Sequence, residues 1–357
     1  RLGEQDMKAK VWFGCAISGT LLLLAAFAGY IITVDPFFHY HGPLEGVAYT
    51  LDNSRYQNDG IVKHFSYDTL ITGTSMISNF KTSECDALFG GVSIKTPFHG
   101  GTFREVNDNL EAAIRANPEL RTVIRCLDQG NFTQDKDYVN YEGIPYYLYD
   151  RNPLNDTEYI LNKNVFILSD NVLVDTAMGK RMTTFDEYMN WQGEYAFGKE
   201  AVLATYTRPE RSVYKEPLAE VEREQTLENI RQNVTDVARE NPDITFYYYF
   251  SPYSICYWDV YIMQQGKLDW YMELQELVIN ELLDCENIRL FAYDDHTDLT
   301  CNLDNYQDQM HYSEEINSQL LRWMREGTGR LTRENYPAYL KRLYEFYGAY
   351  DYDSIYK

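Results

Sequence analysis

The sequence of 357 residues predicts an α/β fold: a three-layer α/β/α sandwich built on a parallel sheet and preceded by one transmembrane helix. Two observations lead to this prediction. Short apolar segments alternate with helical segments of about 10–15 residues, which is typical of parallel strands joined by crossover helices. Ahead of them, residues 11–34 contain no charged side chain, and at about 1.5 Å per residue such a helix crosses a hydrocarbon core of about 30 Å.

The apolar segment also predicts where the rest of the chain lies. Lys8 and Lys10 precede it and Asp35 follows it. Because positive flanks stay in the cytoplasm, residues 1–10 are expected to be a cytoplasmic stub, and the domain that follows the helix is expected to be extracytoplasmic. A cleavable signal peptide is the alternative, since Ala26-Phe27-Ala28 resembles a cleavage site. Apolar residues continue beyond that point, which favours a single-pass anchor in the cell membrane.

Charge and cysteine content exclude several classes of function. Asp and Glu number 54 against 32 Lys and Arg, so the net charge is −22 and the chain is expected to bind no nucleic acid. The six cysteines form no C-x-x-C pair and no cluster with histidine, so no metal site and no cofactor is expected. The sequence alone does not decide whether Cys285 and Cys301 form a disulfide.

The remaining elements follow in order along the chain. Residues 35–66 are interpreted as an irregular juxtamembrane segment, 67–330 as the main domain, and 331–357 as a C-terminal helix and tail. Within the main domain, residues 132–216 lack the alternating pattern and predict an insertion over one end of the sheet. Strands are expected at 67–72, 92–97, 122–127, 244–250 and 288–293, and helices at 102–116, 217–240, 268–283 and from residue 312 onward.

Two short motifs carry residues suited to nucleophilic chemistry. Ser75, in Gly73-Thr74-Ser75, comes just after the first predicted strand, where a parallel sheet presents its functional edge. Asp308 precedes His311 by three residues, a spacing that lets the carboxylate hold one ring nitrogen while the other faces a nucleophile. A third acidic group, Asp294-Asp295-His296, is interpreted as a solvated loop.

Together these motifs resemble the SGNH/GDSL hydrolase superfamily, which has a flavodoxin-like fold. More narrowly, the chain is similar to membrane-anchored members that act in cell-envelope acyl transfer, such as D-alanylation of lipoteichoic acid. The resemblance covers residues 67–327 apart from the insertion. It implies that Ser75 is the nucleophile, that His311 is its general base and that Asp308 orients His311.

The resemblance also implies an oxyanion hole. Gly100, in His99-Gly100-Gly101-Thr102, matches the family's glycine block and would supply a backbone N–H beside that of Ser75. Asn131 would supply the amide of the family's asparagine block. Two positions depart from the family pattern: Thr74 stands where the family has Asp, and Asp128, which cannot donate when ionised, ends the third strand.

The sequence therefore predicts a membrane-anchored serine esterase or O-acyltransferase that acts on acyl esters of cell-envelope glycans. Asp128, Tyr253 and Trp258 are expected to contact substrate. Expected partners are the glycan or acyl ester, membrane lipid around the N-terminal helix, and a membrane acyltransferase. Two alternatives stay open: a non-catalytic envelope protein that uses the same fold for glycan binding or complex assembly, and a metal-dependent hydrolase.

Overall fold

A five-stranded parallel sheet forms the centre of the molecule. The computed structural model describes residues 2–141, 143–150, 152–212 and 217–356; Arg1 of the expected cytoplasmic stub and the last four residues of the expected insertion, 213–216, lie outside them. The strands are β1 (Thr69–Gly73), β2 (Ser93–Pro97), β3 (Thr122–Leu127), β4 (Thr245–Phe250) and β5 (Ile288–Phe291). Their order is β2-β1-β3-β4-β5, and every neighbouring pair is parallel. The predicted α/β fold is confirmed.

Helices cover both faces of the sheet, and further helices form the N-terminal segment and parts of the insertion. They are α1 (Leu2–Val34), α2 (Ser54–His64), α3 (Thr82–Phe89), α4 (Phe103–Ala116), α5 (Tyr146–Tyr149), α6 (Thr157–Ile160), α7 (Lys163–Ala177), α8 (Lys199–Thr205), α9 (Glu220–Ile230), α10 (Asp236–Glu240), α11 (Ile255–Tyr257), α12 (Leu268–Leu282), α13 (Thr297–Thr300), α14 (Glu314–Glu326) and α15 (Tyr336–Ala349). Strand β2 is added on one side of β1, and the later strands β3, β4 and β5 are added in turn on its other side. Right-handed crossovers therefore place α3 on one face and α4, α9 and α12 on the other. Helix α14 packs against α3, and α2 against α4.

Aromatic residues account for much of the core. In β4 the run Phe246 to Phe250 is buried throughout, with three consecutive tyrosines between the two phenylalanines. Strands covered on both faces by helices read as continuous apolar runs rather than alternating ones. Some of the chain's 32 tyrosines thus lie in the sheet itself.

The juxtamembrane segment differs from the expectation of irregular structure, because residues Ser54–His64 form helix α2. Gly60 lies within this helix. A Cβ at Gly60 would lie only 2.4 Å from the carbonyl oxygen of Phe37, so the glycine allows a close approach of two backbone segments. The helix buries polar side chains and not an apolar stripe: Gln57 donates to the carbonyls of Pro36 and Thr50. Apolar periodicity therefore could not reveal it.

The N-terminal helix is long and apolar enough over Met7–Val34 to cross a membrane. After it the chain turns at Asp35, whose carboxylate accepts the backbone N–H groups of His39, Tyr40 and His41 and the hydroxyl of Tyr159. This network is buried. It ties the end of α1 to the insertion, because Tyr159 belongs to α6.

All six cysteines lie in the described ranges, and none forms a disulfide. The loop between Cys285 and Cys301 is therefore not closed by a covalent bond. The C-terminal helix α15 is instead held to this part of the chain by noncovalent contacts. The hydroxyls of Tyr339 and Tyr347 in α15 donate to the side chain and the carbonyl of Asp294.

Asp294 is buried, which corrects the interpretation of residues 294–296 as a solvated loop. Its position at the end of β5, beneath α15, removes it from water. Burial raises the pKa of Asp294 to about 8. The carboxyl group is consequently neutral around pH 7, since an unpaired charge in this environment would be costly.

We expect the substitution Asp294→Asn to make the free energy of unfolding decrease less steeply as the pH rises. The folded protein keeps the Asp294 proton up to its raised pKa, whereas the unfolded chain releases it from about pH 4 upward, so this group lowers the free energy of unfolding by up to about 1.4 kcal/mol per pH unit in between. Urea unfolding of the full chain in detergent from pH 5 to 8 measures the difference. Asp298→Asn, on an exposed neighbour, is the matched control, and equal pH profiles for both variants would contradict the expectation.

Candidate active site

Ser75, His311 and Asp308 lie together at the carboxyl edge of the sheet. The Oγ atom of Ser75 is 2.8 Å from Nε2 of His311. The Nδ1 atom of the same ring is 2.8 Å from Oδ2 of Asp308. With a proton on Nδ1 directed at the carboxylate, Nε2 is left to accept the serine proton. The three side chains thus have the arrangement of a nucleophile, a general base and an orienting carboxylate.

The loop around His311 fixes its ring. Oδ1 of Asp308 accepts the backbone N–H groups of Met310 and His311, both at 2.8 Å. Burial would raise the pKa of Asp308, but its hydrogen bonds with the His311 side chain and the two N–H groups outweigh this and hold the pKa below its usual value. Trp191, from the insertion, meets the ring edge-on with centroids 5.6 Å apart. The carboxylate therefore stays ionised and the imidazole has little freedom to rotate.

A glycine allows the sharp turn that exposes Ser75. Gly73 ends β1 with φ of +150°, and a Cβ there would lie 2.9 Å from Cβ of Cys126 and 3.0 Å from Cγ2 of Ile77. Only glycine fits this backbone and this close contact with β3. Immediately after it, Thr74 caps the 3-10 turn Ser75–Ile77.

Thr74 and Asp128, the two positions that depart from the family pattern, are hydrogen-bonded to each other. The hydroxyl of Thr74 donates to Oδ2 of Asp128 at 2.6 Å. The other oxygen, Oδ1, accepts from Tyr253 at 2.7 Å and from Ser251 at 3.2 Å. Both carboxylate oxygens are thus occupied by protein groups.

This bonding corrects two of the predicted substrate contacts. Asp128 and Tyr253 are buried and bonded to each other behind the turn that carries Ser75, a geometry suited to positioning that turn and not to contacting substrate. Trp258 is a third correction. It is 1% exposed and stacks on Tyr347 of α15 with centroids 3.6 Å apart. An indole packed in the core between helices is not a substrate contact, and sequence spacing alone does not distinguish the two settings.

The two predicted oxyanion residues lie in adjoining turns. Gly100 is exposed with φ of +62°, and Nδ2 of Asn131 donates to the carbonyl of Gly101 at 3.2 Å. Among the described residues, the backbone N–H groups of Ser75 and Gly100 donate to no protein acceptor. Two unpaired donors at the same sheet edge as the nucleophile suit a developing oxyanion. One N–H of the Asn131 amide is already used to join the turns.

A buried ion pair supports the glycine turn. Arg55 of α2 pairs with Glu105 at 2.9 Å and donates to the carbonyl of His99 at 3.0 Å. Glu105 in turn accepts the backbone N–H of Thr102 at 3.1 Å, completing a capping box at the start of α4. The turn 99–102 is thus held at both ends by the same charged pair.

Two further side chains hold the nucleophile turn and were not singled out by the sequence motifs. Nε2 of His99 lies 2.8 Å from Oγ of Ser78, and burial lowers the pKa of His99 to about 4, so the ring is neutral. Lys95 is fully buried on β2; its ammonium donates to the carbonyls of Ser78 and Phe80, and burial lowers its pKa to about 7. A lysine in the middle of an otherwise uncharged predicted strand is the signal that indicates such a role.

Within the described ranges no group of three His, Cys, Asp or Glu side chains is placed to hold a metal ion. The paired histidines and carboxylates are engaged with one another or with the backbone instead. His39, for example, lies 3.3 Å from Asp156.

Comparison with known proteins gives little to add to this geometry. No protein-family model matches the chain. No curated protein matches it either. A solved structure from Streptococcus pneumoniae, provisionally described as a platelet activating factor, is similar over 77% of this chain and 90% of its own, with 11% identity and a TM-score of 0.41. A similarity this low supports no conclusion about the chain.

We expect Thr74→Val to slow the reaction of Ser75 with a fluorophosphonate about tenfold, the effect of losing one hydrogen bond of about 1.4 kcal/mol from the positioning of the nucleophile. Thr74→Ser keeps a hydroxyl that can donate to Asp128 and is expected to react at nearly the wild-type rate. The measurement is the time course of covalent labelling of the full chain. Equal rates for the valine and serine variants would show that the Thr74–Asp128 bond does not position Ser75.

Proposed function

We propose that this chain is a membrane-anchored serine esterase or O-acyltransferase of the SGNH type. The observation that carries the proposal is the pair of 2.8 Å contacts that join Ser75 to His311 and His311 to Asp308. Nucleophile, base and orienting carboxylate come from opposite ends of the described domain, 236 residues apart in the case of Ser75 and His311. Chance turns and helix caps would not require such a convergence.

The proposed first half-reaction makes an acyl-serine. His311 Nε2 takes the hydroxyl proton as Ser75 Oγ bonds to the ester carbonyl carbon, and the carbonyl oxygen becomes an oxyanion opposite the N–H groups of Ser75 and Gly100. Asp308 stabilises the imidazolium without taking its proton. Collapse of the tetrahedral intermediate breaks the ester bond, and His311 returns the proton to the leaving alkoxide.

The second half-reaction runs the same steps with a new nucleophile. Water gives a carboxylic acid and the enzyme acts as an esterase. A sugar hydroxyl gives a new ester and the enzyme acts as an O-acyltransferase. The proposed substrates are acyl esters of cell-envelope glycans, because an anchor before the domain and an outward topology would hold the site beside them. A membrane acyltransferase that supplies the acyl group is part of the same proposal.

The alternative of a non-catalytic glycan-binding protein depended on Asp128 standing where a donor was expected. The bond from Thr74 gives this carboxylate a positioning role. No observation within the described ranges favours the binding role over catalysis, and we do not propose it.

Covalent labelling of the full chain in detergent with a fluorophosphonate tests the catalytic proposal. We expect labelling of the wild-type chain and of Ser354→Ala, an exposed serine far along the sequence, and none of Ser75→Ala. Mass spectrometry of the labelled peptide identifies the serine. Labelling that persists in Ser75→Ala, or a folded wild-type chain that does not react, would contradict the proposal.

Asp308→Asn is expected to keep the fold and reduce the labelling rate by a factor on the order of 10³ to 10⁴, because an amide holds His311 in the wrong tautomer. Rates measured at pH 7 to 8 for the wild type and this variant test the expectation. A variant within threefold of the wild type would remove Asp308 from the mechanism.

A further inference from the structure

Exposed aliphatic side chains cluster in one part of the domain. Beyond α1, the large aliphatic residues that are exposed in the described ranges are Leu44, Val92, Leu154, Leu161, Ile167, Leu173, Val174, Met178 and Val221. Six of these nine fall between residues 154 and 178. We call those six, from Leu154 to Met178, the apolar patch. Scattered surface hydrophobics are normal, whereas a concentration in one short segment indicates a contact surface.

The apolar patch lies beside the N-terminal helix. Phe166 of α7 packs against Phe27 and Tyr30 of α1, with ring centroids 5.6 Å and 6.0 Å apart. The hydroxyl of Tyr30 donates to Asp170 of α7 at 2.5 Å. Helix α7 is therefore fixed against the last two turns of α1.

The exposed face of α7 is opposite the face that packs on the domain. Val165, Ser169 and Val172 are buried. At 100° per residue, Ile167 and Val174 project from the other side of the helix, and Met178 continues that line. The contact with α1 through Phe166 lies between the two faces. These three apolar side chains therefore point away from the domain.

The depth of this contact follows from the length of α1. Counting from Val11, just after the cytoplasmic lysines, about 20 residues cross a hydrocarbon core of about 30 Å, which brings the outer boundary close to Tyr30. Tyrosine is common at that boundary because its ring is apolar and its hydroxyl is polar. Helix α7 touches α1 at Phe27 and Tyr30 and so lies at the level of the outer interface.

We propose that the apolar patch inserts into the outer leaflet and forms a second membrane contact of the domain, in addition to α1. This proposal rests on the membrane anchorage included in the proposed function, but not on catalysis. The occupant is lipid, because α7, which carries Ile167, Leu173 and Val174 of the patch, packs directly on the anchor helix at the level of the outer interface. Interfacial helices bury their apolar face about 5–10 Å into the boundary between headgroups and acyl chains. A single spanning helix would leave the domain free to tilt, and this second contact fixes its orientation.

A pair of matched valines tests the proposal. Val174→Cys lies in the apolar patch, and Val221→Cys lies on α9, outside it; both valines are exposed on helices. Each is made in the full chain with Cys15→Ser, since the other five cysteines are buried or partly buried. Each is labelled with an environment-sensitive NBD probe and reconstituted into phosphatidylcholine–phosphatidylglycerol vesicles, with or without lipids that carry a doxyl quencher at a shallow position.

We expect blue-shifted emission and strong quenching by the shallow doxyl lipid at position 174, and emission typical of water with no quenching at position 221. Equal behaviour at the two positions would overturn the proposal. So would a blue shift at position 174 that is insensitive to doxyl lipid and weakens as the protein-to-lipid ratio falls, because a second copy would then cover the patch. If neither variant floats with the vesicles, the anchorage on which the proposal rests fails.

Fluorophosphonate labelling in detergent separates this proposal from the catalytic one. Both cysteine variants keep Ser75, His311 and Asp308, so both are expected to label at the wild-type rate whatever the lipid measurement gives. Loss of labelling in the wild type with quenching intact would refute catalysis alone. Labelling intact without quenching would refute the membrane contact alone.

Discussion

The hydroxyl of Thr74 donates to Asp128 across the carboxyl ends of β1 and β3, and this bond anchors the residue directly before Ser75. The serine follows Thr74 directly, on a turn of only three residues. Asp128 is in turn held by Tyr253 and Ser251 from the segment after β4. Three neighbouring strands are therefore tied together behind the nucleophile. A buried carboxylate needs such donors, since an ionised group without them would be costly to bury.

The same principle extends to the other turns of the site, each of which is held by a buried polar group. Lys95 bonds the carbonyls of Ser78 and Phe80. Arg55 holds the carbonyl of His99 and pairs with Glu105. A buried polar network stabilises the fold only when nearly all of its donors and acceptors are hydrogen-bonded, because each unpaired polar group is costly to remove from water. Such a network then favours one arrangement of the backbone. The turns around the candidate site are thus held by charge and hydrogen bonding as much as by apolar packing.

The sequence was informative where periodicity and short motifs carry the structure. Strand β3 has the bounds that its apolar run predicts, Thr122–Leu127, and the other strands differ by a few residues at their ends. Helix α2 was missed because most of its buried residues are polar, and their partners, such as the carbonyl of Pro36 for Gln57, are distant in sequence. Trp258 was wrongly predicted to contact substrate. An aromatic residue in the segment after a strand gives the same sequence pattern whether it faces a pocket or packs on a helix such as α15.

For the candidate site, the sequence indicated the residue types but not their connections. The spacing of Asp308 and His311 within one turn is local, so it could be read directly. Whether Asp128 serves substrate or scaffold depends on Thr74 and Tyr253, residues 54 and 125 positions away along the chain. The contact between Trp191 and His311 is harder still to predict from the sequence, because Trp191 belongs to the insertion, which has no periodic pattern.

Helix α2 links the turn at Asp35 to the sheet edge that carries Ser75. Gln57 donates to the carbonyl of Pro36, one residue beyond the Asp35 turn, and the next residue, Asn58, donates to the carbonyl of Pro97 at the end of β2. Adjacent residues on one helix thus hold the chain that leaves α1 and the chain that leads into the glycine turn. Because both bonds are buried, a displacement of the domain relative to α1 would have to break them or move the sheet edge as well. The position of Ser75 relative to the end of α1 is therefore a property of the fold.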